Sequence, residues 1–158
     1  MAFKSLNDSW REKEKGTAPR PVVLVIDDDA ATRESLEFVL KDKYEVILCA
    51  SAREGLAAFR DDVSVVILDV KMKTHDGFWA CDELRKKQAD IPIIFYSAYQ
   101  SLKDPFRIIN EHRPFGYIIK DGDIKQLLDA VDMAVRVYTM IAENKRIIER
   151  LTAGKRKK

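Results

Sequence analysis

Five short apolar runs punctuate this chain, and each is stopped by a polar residue or a turn. Val22–Ile26 runs into Asp27-Asp28-Asp29. Tyr44–Leu48 follows, then Val65–Leu68 stopped by Asp69, Pro92–Tyr96 stopped by Ser97-Ala98, and Gly116–Ile119 stopped by Lys120. Runs this short and β-branched, with turn residues at their ends, predict strands buried on both faces. Between them the apolar spacing changes to three and four. Leu36, Val39 and Leu40 share a face of a helix over Thr32–Leu40, with Asp29 as its cap and Glu34 near its positive end. Ser51-Ala52-Arg53-Glu54 has the form of a capping box and opens a helix with Leu56 and Phe59 inward. Asp76 caps a helix that carries Phe78, Cys81 and Leu84 and ends in the cations Arg85-Lys86-Lys87. A fourth helix is predicted to turn Phe106 and Ile109 inward and to end near His112-Arg113-Pro114. Asp121-Gly122-Asp123 leads into the last one. Strand and helix alternate throughout, which predicts an α/β fold: a parallel sheet covered by helices on both faces through right-handed crossovers.

The last helix is the longest. Asp123 to Leu151 holds no proline or glycine, and Gly154 is a natural stop. At 1.5 Å per residue this stretch would reach about 43 Å. Ile124, Leu128, Val131 and Val135 supply a face for the sheet. A second stripe, Leu127, Ala130, Ala134, Val137, Ile141, Asn144, Ile148 and Leu151, steps alternately by three and four. That is the spacing of a coiled coil, in which an Asn such as Asn144 fixes register and favours two strands. The expectation is a homodimer through Val137, Ile141, Asn144, Ile148 and Leu151. The chain thus divides into a polar N-terminal arm (1–21, with a short helix near Trp10), a domain (22–135), and a helical extension with a basic tail (136–158).

Composition narrows the chemistry. The 158 residues are 46% hydrophobic and 34% charged, yet the formal net charge is only +2, which argues against broad electrostatic capture of nucleic acid. The closing basic residues are too few for a nucleic-acid patch, and no helix-turn-helix, zinc-ligand or RNA-binding aromatic pattern accompanies them. Cys49 and Cys81 lack metal-ligand spacing and suit a reduced, cytoplasmic protein. His75 and His112 have no ligand partner at metal spacing and read as surface histidines. No apolar run approaches the ~18–20 residues of a membrane span.

In a parallel sheet every strand points the same way, so the residues that stop the runs gather at one edge. Asp27, Asp28, Asp69, Ser97 and Lys120 would converge there. Clustered carboxylates repel one another unless a cation intervenes. Mg²⁺ suits such a site, being hard and content with a few carboxylates plus phosphate oxygens. A metal, a lysine and a hydroxyl around one carboxylate fit phosphoryl transfer, with Asp as nucleophile.

These residues resemble a known family. Val25-Ile26-Asp27-Asp28-Asp29, Ile67-Leu68-Asp69, Asp76-Gly77, Ser97-Ala98 and Gly116-Tyr117 with Lys120 look like the receiver domain of two-component response regulators, from Val22 to the middle of the last helix. The resemblance implies a flavodoxin-like doubly wound five-stranded parallel sheet, order 2-1-3-4-5, here with an extended C-terminal helix. It implies that Asp69 accepts a phosphoryl group from a sensor histidine kinase, a phosphotransfer protein or a small phosphodonor. Asp28 and Asp69, with the backbone carbonyl of Lys71, would ligate Mg²⁺, and Asp27 would hold metal-bound water. Lys120 would pair with a phosphate oxygen. Ser97, beside Ala98, would swing toward the phosphate, and Tyr117 would follow inward.

Three departures matter. Asp121 stands where the family usually has proline after a cis peptide bond. A non-proline cis bond costs ~2.5–4 kcal/mol, so a trans bond is expected and the placement of Lys120 is put in question. Lys73 stands where the loop usually has proline. Lys71, two residues past the acceptor, would overhang the phosphate and screen it from water. Two rival readings follow from the residues. One is a receiver-like scaffold that works without phosphorylation, with Asp121 as its support. The other is a haloacid-dehalogenase-type phosphatase using Asp27-x-Asp29, although Ala31 stands where Thr or Val is expected. The leading reading is a regulatory phosphoacceptor that assists only its own phosphorylation and dephosphorylation.

Overall fold

The computed structural model describes residues 19–98 and 105–155. The N-terminal arm through residue 18, its expected helix near Trp10, and the last three residues of the basic tail lie outside these residues. Among the described residues five strands alternate with five helices: β1 (Val22–Ile26), α1 (Ala30–Leu40), β2 (Glu45–Cys49), α2 (Ala52–Ala58), β3 (Val63–Leu68), α3 (Gly77–Lys87), β4 (Ile93–Ser97), α4 (Pro105–His112), β5 (Gly116–Ile119) and α5 (Ile124–Lys155). The strands form one sheet in the order β2-β1-β3-β4-β5, and each neighbouring pair is parallel. This is the doubly wound arrangement that the alternation predicts.

Both faces of the central strands are sealed, which explains why β1 reads as an unbroken apolar run. Val22, Leu24 and Ile26 join one core cluster with Leu68, Cys81, Leu84 and Phe95. Val23 and Val25 join the other, with Leu36, Leu40, Ile67, Leu127 and Val131. The α2–α3 layer therefore covers one face and the α1–α5 layer the other. The caps follow the sequence. Asp29 accepts from the Thr32 amide at 3.1 Å, Asp76 from the Trp79 amide at 2.8 Å, and Ser51 from the Glu54 amide at 3.1 Å. The Glu54 carboxylate reaches back to accept from the Ala50 amide at 2.8 Å, one residue before the cap.

Several local expectations are corrected. On α4, Phe106 and Ile109 are exposed, at 78% and 57%, and Ile108 is the residue packed on the core. In an eight-residue helix with apolar residues on more than one side, spacing alone does not choose the inward face. Val39 is exposed, so Leu36 and Leu40 carry the inner face of α1. The second strand begins at Glu45, with Tyr44 buried just before it. Gly154 does not stop α5, which continues to Lys155. The inner face of α5 is Leu127, Val131, Ala134 and Val135; Ile124 and Leu128 are only half-buried. The expected coiled-coil stripe is therefore divided, because Leu127 and Ala134 already belong to the core.

Contact between α5 and the domain continues beyond Val135. The Gln88 side-chain amide donates to the Tyr138 hydroxyl at 3.1 Å, and Lys145 pairs with Asp90. Both tie α5 to the loop between α3 and β4.

Candidate functional site

The C-terminal ends of β1, β3, β4 and β5 meet at one edge of the sheet, and the polar stops of the apolar runs meet with them. The backbone brings these ends together before any side chain is considered. The Asp27 amide donates to the Cys49 carbonyl at 3.1 Å, that of Asp69 to Ile26 at 2.9 Å, and that of Lys120 to Ser97 at 2.8 Å. One carboxylate oxygen each from Asp27, Asp28 and Asp69 lies within 4.8 Å of the others. Asp27 and Asp69 are buried, and Asp28 is half-buried.

Lys120 is the countercharge. Its Nζ lies 2.6 Å from Oδ2 of Asp27 and 3.6 Å from Oδ2 of Asp69. Burial pulls the Lys120 pKa down, but the hydrogen bond and charge of Asp27, aided by Asp69, more than offset this, so the ammonium titrates above its ordinary range. Asp69 is shifted upward, first by burial and then by the charge of Asp27; Lys120 and a Ser97 hydrogen bond oppose the shift without cancelling it. The described residues contain no cis peptide bond. Lys120 thus reaches both acids with a trans bond to Asp121.

The N-terminus of α3 packs against the end of β3 at Asp69. The Gly77 amide donates to the Val70 carbonyl at 2.7 Å. A Cβ on Gly77 would stand 2.1 Å from the Asp69 carbonyl oxygen. Only a residue without a side chain allows this approach, which fixes the backbone at Asp69.

An open cleft of about 280 Å³ lies above Asp69, lined by Lys71, Ser97, Ala98 and Lys120. Lys71 is exposed at its rim. Ser97 is buried and already reaches Asp69. Tyr117 is half-buried against the core, its ring centroid 6.0 Å from that of Phe95. Asp27, Asp28, Asp69, Ser97, Ala98, Lys71 and Lys120 are therefore together, and Tyr117 stands on the adjoining strand. Val137, Ile141, Asn144, Ile148 and Leu151 lie along α5, apart from this edge.

Two contributors were not read from the sequence. Arg33 Nη1 donates to the Asp27 backbone carbonyl at 2.7 Å; its signal was an arginine one turn into the helix that follows the first acidic strand end. Tyr96 places its ring 5.5 Å from Lys120 Nζ, and its signal was an aromatic residue immediately before Ser97. His112 is not a free surface histidine: Nδ1 lies 2.9 Å from Asp82, and the ring stacks on Phe78. Cys81 makes a 3.6 Å contact with the His112 carbonyl, and burial raises its thiol to about 11. This cluster ties α3 to α4.

The acids fit a hard divalent cation. Three carboxylate oxygens converge, and burial plus mutual repulsion disfavours ionisation of Asp69, a cost that a bound cation would relieve. Asp29, the second acid of the rival phosphatase motif, is exposed and engages Thr32 through its amide and hydroxyl.

The response regulator receiver domain family matches residues 23–132. A probable transcriptional regulator, ycf27, of Porphyra purpurea is 36% identical over 124 residues, covering 77% of this chain and 50% of its own. A response regulator receiver domain protein from Clostridium thermocellum is 27% identical with a TM-score of 0.70, covering 76% of this chain and 98% of that one. The response regulator TrrA from Thermotoga maritima, solved in complex with Mg(2+)-BeF, is 28% identical with a TM-score of 0.64, covering 72% and 97%. The chain spans about half the length of the curated relatives it matches.

Proposed function

This chain belongs to the response regulator receiver family, and on that premise we propose that Asp69 is its phosphoacceptor, charged by a sensor histidine kinase or a phosphotransfer protein in the cytoplasm. The observation that carries this reading is the convergence of Asp27, Asp28 and Asp69 on Lys120 at one strand edge. In the reaction, a carboxylate oxygen of Asp69 attacks phosphorus. The new P–O bond forms as the donor's P–N bond breaks, and the leaving imidazole nitrogen keeps the electron pair and takes a proton from water. Nothing is oxidised or reduced.

Asp28 and Asp69, with the Lys71 carbonyl, are the groups that would hold Mg²⁺, with Asp27 beside them. Bound there, Mg²⁺ supplies positive charge against the oxygens of the transferring group. Lys120 holds Asp27 and Asp69 in place and offers its ammonium to a phosphate oxygen. A phosphoryl group adds about −1.5 to −2 charge and new acceptor oxygens. Ser97 and Lys120 are the nearest donors, so the new bonds pull on β4 and β5, and Tyr117 on β5 carries the change outward. The output is a change in pairing of two copies or in binding of a partner or effector. The placement of Lys120 favours this phosphoacceptor reading over a scaffold that ignores phosphate.

Incubation with acetyl phosphate and Mg²⁺, followed by phosphate-affinity electrophoresis, is the test. Wild type gives a retarded band and Asp69→Asn gives none. A retarded band of equal intensity in the variant would overturn the assignment. Lys71 gives a second readout. If its ammonium screens the acyl phosphate from water, Lys71→Asn keeps phosphoryl uptake but shortens the lifetime of the label several-fold. An unchanged decay rate would refute the screening role.

A further inference from the structure

Beyond its packing against the sheet, α5 carries a second apolar line. Met133, Met140, Ile147 and Leu151 are exposed, at 55%, 58%, 53% and 65%. Val137 is half-buried and Asn144 exposed between them. Met133, Val137, Met140, Asn144, Ile147 and Leu151 step by four, three, four, three and four, the a/d repeat of a two-stranded coil. The face gripping the domain, from Leu127 and Val131 to Tyr138 and Lys145, lies roughly 140° around the helix from this line at 3.6 residues per turn. A second helix can therefore lie along the line without displacing the domain.

We propose that this seam docks the α5 of a second copy, parallel and in register. The proposal deepens the pairing output proposed above and rests on it. Charge selects the orientation. A fully overlapped antiparallel pair would set Arg136 beside Arg150 and Glu143 beside Glu143 of the second copy, and would bury the Asn144 amide against Met140. The parallel pair removes each conflict. Asn144 meets Asn144, amide to amide. Arg136 and Glu143 lie across Ile141 and Ile148 of the second copy, covering these apolar side chains with their stems while their charged heads stay in water. Ile141 and Ile148 thus flank the seam, and the positions facing the second helix are Met140 and Ile147.

Cysteine cross-linking of the full chain tests this register. The native Cys49 and Cys81 are both buried, so an introduced thiol is the reactive one. With and without beryllofluoride and Mg²⁺, Met140→Cys and Asn144→Cys should cross-link several-fold more than Ile148→Cys in at least one state. Met140→Glu, at a site exposed in the single chain, should lower the light-scattering mass from twice 18.2 kDa to the single value while thermal unfolding stays cooperative. Equal or greater cross-linking at Ile148→Cys, or a wild type that stays at the single mass in both states, would overturn the seam. Phosphoryl uptake by Met140→Cys, measured beside its cross-linking, separates the two readings. Uptake without cross-linking counts against the seam alone, and cross-linking without uptake counts against the phosphoacceptor alone.

Discussion

Lys120→Met should cost about 3 kcal/mol of stability in metal-free buffer, the cost expected when one partner of a buried ion pair is removed. Lys120 Nζ is bonded to buried Asp27 and lies 3.6 Å from buried Asp69. Without it, three carboxylates face one another with no other side-chain cation bonded to them among the described residues. Asp69 is already shifted upward by burial and by Asp27, and loss of the ammonium pushes it further. The sign of the pH dependence follows. A carboxyl raised in the folded state stabilises the fold while protonated, and that contribution is lost as pH rises through its folded value. The variant should therefore recover stability as pH falls through the raised range of Asp69. Mg²⁺ should narrow the gap at neutral pH, because a ligand that binds only the folded state stabilises it by mass action. Urea unfolding at two pH values, with and without Mg²⁺, checks all three. A variant as stable as wild type without metal would show that Lys120 is not the countercharge of the acids.

Gly77→Ala should cost a similar amount and disable phosphoryl uptake with it. The added Cβ would stand 2.1 Å from the Asp69 carbonyl oxygen and 2.8 Å from Val70 Cα. Both are backbone, so either the start of α3 or the end of β3 must move, at about 3 kcal/mol, the upper part of the usual overpacking range. Gly55→Ala is the control. Its Cβ would stand 2.2 Å from Cδ1 and 2.6 Å from Cγ1 of Ile26, side-chain atoms that yield more readily than backbone. Alanine also gains up to ~1 kcal/mol over glycine in a helix. Its net cost should be well below that of Gly77→Ala, with uptake preserved. Equal losses in the two variants would contradict the claim that α3 locks the backbone at Asp69.

The sheet and its edge were legible because burial on both faces leaves an unmistakable mark. Runs such as Val22–Ile26 and Val65–Leu68 can only be central strands, and the residues that stop them must share an edge once the strands are parallel. Asp27, Asp28, Asp69, Ser97 and Lys120 follow from that argument alone. Arg33 and Tyr96 did not, because each serves the site through a contact that depends on how far α1 and β4 reach beside it. The inward face of α4 was misread because its apolar residues point several ways, and only the docked helix shows that Ile108 faces the core. On α5 two apolar faces overlap in a single three-four spacing. Sequence alone joined Leu127 and Ala134 to Ile141 and Ile148, whereas burial assigns Leu127 and Ala134 to the core and leaves Met133, Met140, Ile141, Ile147 and Ile148 exposed.

Folded wild-type protein treated with acetyl phosphate, in Mg²⁺ or in EDTA, and weighed intact by mass spectrometry, bears most directly on the site at the strand edge. One phosphoryl group should be gained per chain in Mg²⁺ and little in EDTA, and peptide mapping after reductive trapping should place it on Asp69. A folded chain that gains none, or that carries the group on another residue, would contradict the convergence of Asp27, Asp28, Asp69 and Lys120 as a phosphoacceptor centre.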